Sequence, residues 1–287
     1  MRIVPEAFFQ NPRIQKLMRD GDCAVIHKYT DRQDLDNHRL LSAHALTLVN
    51  SGGLMVHNDE GLPTRVNEGQ MVLLPKGLYA ITDLIPEGEG FEAMVFFFDD
   101  ELIATFLASQ GMGNMEVFCE PKPALFKACD SFLVFTEQLQ SLYGQVAASQ
   151  PMVRIKLLEA LHLIVQRDPE NHFLDRIQEL RARPKKELSF FMNAHYDKPL
   201  DVEDFARLSG RSVSTFRRDF HKQFGTAPKQ WLITRRLEKA RELLSSEGAS
   251  VAAVAQASGY TDLPHFIKSF QKEFAISPKQ FALTQRN

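Results

Sequence analysis

Two stretches of the chain place cationic and hydrogen-bonding side chains at helical spacing, "STFRRDFHKQF" from Ser214 and "PHFIKSFQKEF" from Pro264. At about 100° per residue, one arc of each helix is polar and the opposite arc is aromatic. Arginine can donate two hydrogen bonds to guanine, and lysine can neutralise a phosphate. The pattern predicts a nucleic-acid-binding surface formed on and beside the polar arcs by Ser214, Thr215, Arg217, Arg218, His221 and Lys222, and by Pro264, His265, Ile267, Lys268, Gln271 and Lys272.

The two stretches belong to a longer internal repeat, in which the aromatic positions coincide at an offset of 50 residues. Upstream, "FARLSG" is echoed by "VAQASG", so each copy consists of a short helix, a Ser-Gly turn and a second helix, which is the helix-turn-helix layout. An ordinary solvated helix surface explains either stretch alone, but two copies in register favour nucleic-acid binding. The residues expected to face the core are Val213, Phe216, Phe220 and Phe224, and Leu263, Phe266, Phe270 and Phe274.

Helical periodicity and capping residues predict an all-α region from about residue 184 to the last residue, 287. The first helix-turn-helix unit is expected at about 201–224, a linker helix at 228–245 and the second unit at about 250–274. Such a linker spans roughly 25 Å, which allows two recognition helices to lie about 34 Å apart, one turn of DNA. The individual helices are expected at 186–196, 201–208, 212–223, 228–245, 250–257, 262–273 and 278–285.

The charge of the chain is unevenly distributed. The net charge is −2, but residues 185–287 carry 17 Lys and Arg against 11 Asp and Glu, and the preceding residues are net acidic. A basic region joined to an acidic one is typical of a protein in which one part contacts a polyanion. No apolar run is long enough to span a membrane or to form a signal peptide, so we expect a cytoplasmic protein. The three cysteines have no metal-type spacing and are expected to be reduced thiols.

The first part of the chain is expected to form a separate domain, residues 1–183. Short apolar runs separated by turn residues predict strands at about 40–98, arranged as a small barrel or sandwich. Helical periodicity then predicts helices at about 99–182, including one that begins near residue 123. Residues 1–25 carry no clear pattern. The fold class is therefore α+β with two domains.

An enzyme is the alternative function, for example an oxygenase or isomerase fused to a helical domain. The sequence contains no HExxH, GxSxG, P-loop or GxGxxG motif. The cluster Asp99-Asp100-Glu101 could provide paired carboxylates, but a helix N-terminus favours such charges anyway. His27, His38, His44 and His57 are scattered, so we expect neither a metal nor a cofactor, and no catalytic residue is assigned.

The region from about 185 to 285 resembles the DNA-binding domain of AraC/XylS-type transcription regulators. The resemblance is carried by the two helix-turn-helix copies and by signature residues on the linker helix and the second copy: Arg236, Leu237, Ala240, Val254, Ala255, Gly259, Tyr260, Phe266, Phe270, Phe274 and Pro278. It implies that Ser214, Arg217 and Arg218 face bases in the first unit. In the second unit it assigns the same role to Pro264, Ile267 and Lys268.

The resemblance also implies a cupin-like β-barrel in the first domain, followed by helices. It implies a sequence-specific transcription activator that binds double-stranded DNA, contacts RNA polymerase and is regulated through its first domain. A small-molecule or protein effector and a homodimer formed through helices at about 124–166 are further expectations. His44 and Tyr79 are candidates for polar residues that face a ligand.

Two positions depart from the family pattern. Ala275 occupies a site where the family often has glycine, and alanine disfavours a left-handed backbone, so the turn there is expected to be altered. Pro264 and Ile267 stand where other members often have polar base readers. We therefore expect the first unit to provide most of the base discrimination, and the second to provide phosphate contacts through Lys268 and Lys272 and apolar contact with thymine methyl groups.

Overall fold

The computed structural model describes residues 2–32, 38–58, 63–87, 90–112, 121–144, 150–168, 170–181, 188–245 and 250–284. The chain divides into two compact units, residues 1–183 and 184–287. The first is built from sheets and helices and the second is helical, which confirms the α+β class. The expected boundary at Pro184, residues 186–187 of the first predicted helix, residue 285 of the last and Cys119 lie outside the described residues.

Two sheets form the frame of the first unit, a five-stranded sheet with the order β1-β4-β9-β6-β7 and a six-stranded sheet with the order β11-β8-β5-β10-β3-β2. The first strand pairs in parallel with β4, and the other described pairs are antiparallel. The strands are β1 (Arg2–Val4), β2 (Ile14–Asp20), β3 (Cys23–Thr30), β4 (His38–Leu41), β5 (His44–Ser51), β6 (Gly53–Asn58), β7 (Thr64–Asn67), β8 (Gln70–Leu74), β9 (Gly77–Leu84), β10 (Phe91–Phe98) and β11 (Ala124–Lys127).

The strands extend beyond the predicted range of 40–98 in both directions. Before it, β2 and β3 form one side of the six-stranded sheet, and a register shift between Lys16 and Met18 breaks the alternation that would reveal β2 in the sequence. After it, residues 124–127 form an edge strand that pairs with β8, so the helix predicted to begin near residue 123 starts only at Asp130. Pairing with another strand has overridden the local helical pattern.

The six-stranded sheet is buried on both faces. Along β10, Ala93, Val95 and Phe97 face the five-stranded sheet, whereas Met94 and Phe96 contact the helices on the other face. Strand side chains alternate between faces, so a strand covered on both sides is a continuous apolar run. This explains the run "MVFFF" in the sequence.

Helices cover the outer face of the six-stranded sheet. Asp99 caps the helix that follows β10, and its carboxylate accepts a hydrogen bond from the Leu102 backbone N–H at 2.7 Å. The helices of the first unit are α1 (Glu6–Gln10), α2 (Asp100–Ser109), α3 (Asp130–Tyr143), α4 (Gln150–Val165) and α5 (His172–Glu179).

The second unit contains helices α6 (Leu188–His195), α7 (Val202–Leu208), α8 (Val213–Phe224), α9 (Pro228–Ser245), α10 (Val251–Ala257), α11 (Leu263–Phe274) and α12 (Pro278–Thr284). Helix α9 packs into both halves of the second unit. Leu232 is buried at its first part, while Leu237, Ala240 and Leu244 belong to the core that surrounds Phe266 and Phe270. The eighteen residues of α9 span about 27 Å.

Candidate nucleic-acid interface

The helices α8 and α11 occupy equivalent places in two helix-turn-helix units. Each begins at a side-chain cap, since Ser212 accepts a hydrogen bond from the Thr215 N–H at 3.3 Å and Asp262 accepts one from the His265 N–H at 2.7 Å. Each helix has 12 residues and ends in a left-handed residue, Gly225 or Ala275. The sequence repeat is therefore also a structural repeat.

The turn at Ala275 is not altered, so the expectation that alanine changes it is wrong. Ala275 has φ 59° and ψ 10°, close to the values of 70° and 3° at Gly225. Its N–H donates to the Gln271 carbonyl at 2.9 Å, as the Gly225 N–H does to His221. The helix end keeps its geometry, and alanine bears the cost of a left-handed conformation.

The aromatic arcs form the core side of both helices. Phe216, Phe220, Phe266 and Phe270 are fully buried. The repeated "PKQ" string serves packing and capping. Trp231, which follows its first copy, contacts the Phe220 ring edge-on. In the second copy, Ser277 and Gln280 cap each other, and Phe281 packs on Phe270.

The polar arc of α8 is exposed to solvent. Ser214, Arg217, Arg218, His221 and Lys222 are exposed, and Thr215 is half-buried beside the cap. Arg217 lies 3.2 Å from the Glu203 carboxylate and Arg218 lies 3.6 Å from that of Asp219. Exposed pairs of this kind contribute at most about 1 kcal/mol, so both guanidinium groups can exchange their carboxylate for a nucleic-acid partner.

The polar arc of α11 is less uniform. Pro264, His265, Lys268, Gln271 and Lys272 are exposed, whereas Ile267 is partly buried against the core around Phe266. Leu263, expected to face the core, is 37% exposed, so that expectation is wrong. It is the first residue of α11, ahead of the phenylalanines that form the core. The sequence did not reveal this apolar side chain at the tip of the helix.

The polar candidates in the first unit, His44 and Tyr79, hold loops rather than face an open space. The ring of His44 accepts a hydrogen bond from the Lys76 N–H at 3.2 Å and lies 3.2 Å from Asp100, and the Tyr79 hydroxyl donates to the Pro75 carbonyl. At the start of α2, the Asp99 carboxylate forms an ion pair with Arg154 at 2.7 Å. In the described ranges, no three His, Cys, Asp or Glu side chains are grouped to hold a metal ion.

A cavity of about 40 Å³ lies between the two sheets, room for about two or three waters. Its charged lining residues are Lys28, Arg39 and Asp83, none of which the sequence singled out. The Lys28 ammonium donates to both Asp83 carboxylate oxygens, at 2.7 and 2.6 Å, and Asp83 is almost fully buried. The two residues lie on β3 and β9, in opposite sheets, so their pairing depends on the tertiary fold.

Of the cysteines, Cys23 is buried and Cys129 is half-buried, and both are free thiols. Burial raises the pKa of the Cys23 thiol to about 12, so it is protonated at neutral pH and is a poor nucleophile. Within the described part of the chain, no helix has the length and apolar character needed to cross a membrane.

Two family models match the chain, one described as a helix-turn-helix domain over residues 205–283 and one as the ExsA N-terminal regulatory domain over residues 44–176. The virulence regulon transcriptional activator VirF of Yersinia enterocolitica is 26% identical over 210 residues, which cover 71% of this chain and 76% of VirF. The transcriptional regulator ExsA of Pseudomonas aeruginosa is 23% identical over 206 residues, 70% of this chain and 72% of ExsA. A solved structure of ToxT from Vibrio cholerae aligns over 91% of this chain and 98% of its own, with 9% identity and a TM-score of 0.42.

Proposed function

Because the chain belongs to the AraC family of transcription regulators, we propose that it activates transcription by placing α8 and α11 in successive major grooves of one DNA duplex. The observation that carries this proposal is the pair of equivalent helices, each with a buried aromatic side and an exposed cationic side. A DNA-binding regulator of transcription accounts for both helices, whereas the enzyme alternative gives them no role. The relatives named above are regulators, and we propose that this chain is not an enzyme.

The side chains divide into two proposed roles. Ser214, Arg217 and Arg218 read bases from α8, where arginine can hydrogen-bond guanine. Lys222, Lys268 and Lys272 contact phosphates, which fix position without reading sequence. Thr215, His221, His265 and Gln271 lie beside these groups and complete the polar surface, while Pro264, Ile267 and the exposed Leu263 offer apolar contact to thymine methyl groups.

A binding-site selection from random duplex DNA with the full chain tests the proposal. We expect one preferred site with two conserved segments about one helical turn apart. The Arg218→Ala variant should relax base preference within one segment, whereas Lys268→Ala should weaken binding with little change in preference. Recovery of no preferred sequence would contradict DNA reading by this chain. A larger loss of preference in Lys268→Ala would reverse the proposed division of roles.

We propose that the first unit regulates the second, as the description of its matched family model suggests. A small-molecule effector would bind at the cavity beside Lys28 and Asp83 and enlarge it, and a protein effector is the other option. If a small molecule changes DNA binding, Ala45→Val, which reduces the cavity, should abolish that response and leave the affinity without effector unchanged. A retained response would place the effector elsewhere.

A homodimer through α3 and α4 is a further part of the proposal. Val134 and Leu142 on α3 and Ile155 on α4 are 52, 62 and 55% exposed, although each is a large apolar side chain. We also propose that the chain contacts RNA polymerase and acts in the cytoplasm, as expected of a bacterial transcription activator like the relatives named above. Neither depends on the arrangement of the cavity.

A further inference from the structure

The five residues Tyr196–Leu200, here called the coupling segment, join α6 to α7 and are held by one side chain of the linker helix. Arg236 on α9 donates to the Tyr196 carbonyl at 2.7 Å, to the Lys198 carbonyl at 2.6 Å and to the Leu200 carbonyl at 2.9 Å. A guanidinium group has a rigid planar geometry, so three such bonds fix the segment in both position and orientation.

A second cation of α9 strengthens the same attachment. The Lys239 ammonium lies 2.5 Å from the Asp197 carboxylate, and both side chains are about one quarter exposed. The guanidinium carbon of Arg235 lies 5.2 Å from the centre of the Tyr196 ring, and the centre of the Trp231 ring lies 6.3 Å from it. Immediately after the segment, Asp201 caps α7, which packs on α8. Through these contacts α9 positions the coupling segment and α7, and α7 in turn positions α8.

The second helix-turn-helix unit contacts the coupling segment through the backbone of its turn. Gly259 has φ +87°, and a Cβ atom at this position would lie 2.8 Å from the Asp197 carbonyl oxygen and 2.9 Å from Arg236 Nε. Only glycine permits both this conformation and this close approach. The turn leads directly into Tyr260, whose ring packs on Phe266 of α11.

Both recognition helices are therefore positioned against one small cluster of residues. Burial lowers the pKa of Arg236 from its ordinary value, an effect that Tyr260 and Asp197 oppose. Arg236 is half-buried, and its Nε and Nη2 groups donate to backbone carbonyls, so it is poorly placed to contact DNA. Burying the charge of Arg236 costs free energy, and a role in holding the coupling segment explains why the chain bears that cost.

We infer that Arg236 is a positioning residue that sets the distance and rotation between α8 and α11, and so fixes the spacing of the two DNA segments that one chain reads. The inference rests on the proposed function. Two base pairs inserted between the segments rotate one relative to the other by about 70°, since DNA has about 10.5 base pairs per turn. A chain with a rigid coupling cannot follow that rotation without losing contacts.

The test uses the full chain and the duplex that wild type selects from a random library, together with a second duplex carrying two extra base pairs between the segments. Wild type should bind the second duplex at least tenfold more weakly. For Arg236→Gln this penalty should fall below threefold. The matched control is Arg241→Gln on the same helix, whose guanidinium lies over the Phe274 ring, and it should keep the wild-type penalty.

Loss of the fold is monitored through Trp231, the single tryptophan of the chain, which lies beside Tyr196. If Arg236→Gln does not fold, Lys239→Gln, which removes only the ion pair to Asp197, should still reduce the penalty by at least threefold. A tenfold penalty retained by a folded Arg236→Gln would overturn the inference. Equal binding of both duplexes by wild type would also overturn the inference, but it would leave the proposal of DNA binding intact. Unfolding of both variants would also overturn the inference, because the cluster would then be a folding requirement.

Discussion

At the scale of single residues, the two recognition helices end in the same backbone conformation but in different residue types. Ala275 adopts a left-handed conformation that glycine adopts at Gly225, with the same hydrogen bond. For a residue with a Cβ atom this conformation costs roughly 1–2 kcal/mol. The chain therefore has a removable source of strain beside its second recognition helix.

We expect Ala275→Gly to raise the free energy of unfolding of the second unit by about 0.5–1 kcal/mol. Relief of the left-handed strain is partly offset by the greater freedom of glycine in the unfolded chain. The reciprocal change, Gly225→Ala, should lower it by about 1 kcal/mol. Urea unfolding followed by Trp231 fluorescence measures both, and a loss of stability in Ala275→Gly would contradict this account.

Asp204 carries a second residue-scale prediction, because it is a buried carboxylate in a capping box with Asp201. Burial raises the pKa of Asp204 above its ordinary value, although the hydrogen bond from the Asp201 N–H opposes the shift. The folded state thus holds the proton more tightly than the unfolded state. Stability should therefore fall as the pH rises from about 4 through the raised pKa, and the cost should persist at neutral pH.

Asp204→Asn keeps an acceptor for the Asp201 N–H and removes the charge. We expect it to be more stable than wild type at pH 7, by an amount on the order of 1 kcal/mol, and to lose that advantage near pH 4. Glu203→Gln, on the exposed side of the same helix, should show no pH-dependent gain. Equal differences at both pH values would show that the charge of Asp204 is not the cause.

At the scale of the helices, local sequence was sufficient to predict where the helices of the second unit begin and end. The spacing of Phe216 and Phe220 and the caps at Ser212 and Asp262 are local signals, so α8 and α11 were predicted to within one residue. In the first unit, β11 was missed because its pairing with β8 is a long-range contact. The exposure of Leu263 and the partial burial of Ile267 were missed for a similar reason, since they depend on the neighbouring helices.

The cationic helix faces predict a steep dependence on salt. If the three lysines assigned to phosphates make these contacts, the affinity for the selected site should fall roughly 40-fold between 50 and 200 mM monovalent salt. Lys272→Gln should reduce the slope of log K against log salt by about one, whereas Lys127→Gln on β11 should leave it unchanged. A change in affinity below about threefold for wild type would rule out phosphate contacts as the main source of binding energy.

At the scale of the whole molecule, the chain consists of two compact units, one of sheets and helices and one of helices alone. Composition and periodicity were sufficient to distinguish a mixed unit from a helical one. They could not show the Lys28–Asp83 pair, which joins residues 55 positions apart across two sheets. The sequence therefore predicts the exposed polar faces of α8 and α11 far better than the polar residues buried between the two sheets.

We expect residues 184–287 alone to select the same base sequence as the full chain but to bind it at least tenfold more weakly if the first unit mediates dimerisation. Leu142→Glu in the full chain should reproduce this loss and shift the protein toward the monomer in sedimentation. An equally tight isolated unit would show that dimerisation contributes nothing to DNA affinity.

The alternating burial of the six-stranded sheet has a mechanical consequence. On β5, Thr47 lines the cavity, while its chain neighbours Leu46 and Leu48 support the helices on the opposite face. A molecule that displaced Thr47 and its strand would also displace Leu46 and Leu48, because one peptide bond joins each of them to Thr47. A displacement of β5 alone would therefore reach the helices on the opposite face of the sheet.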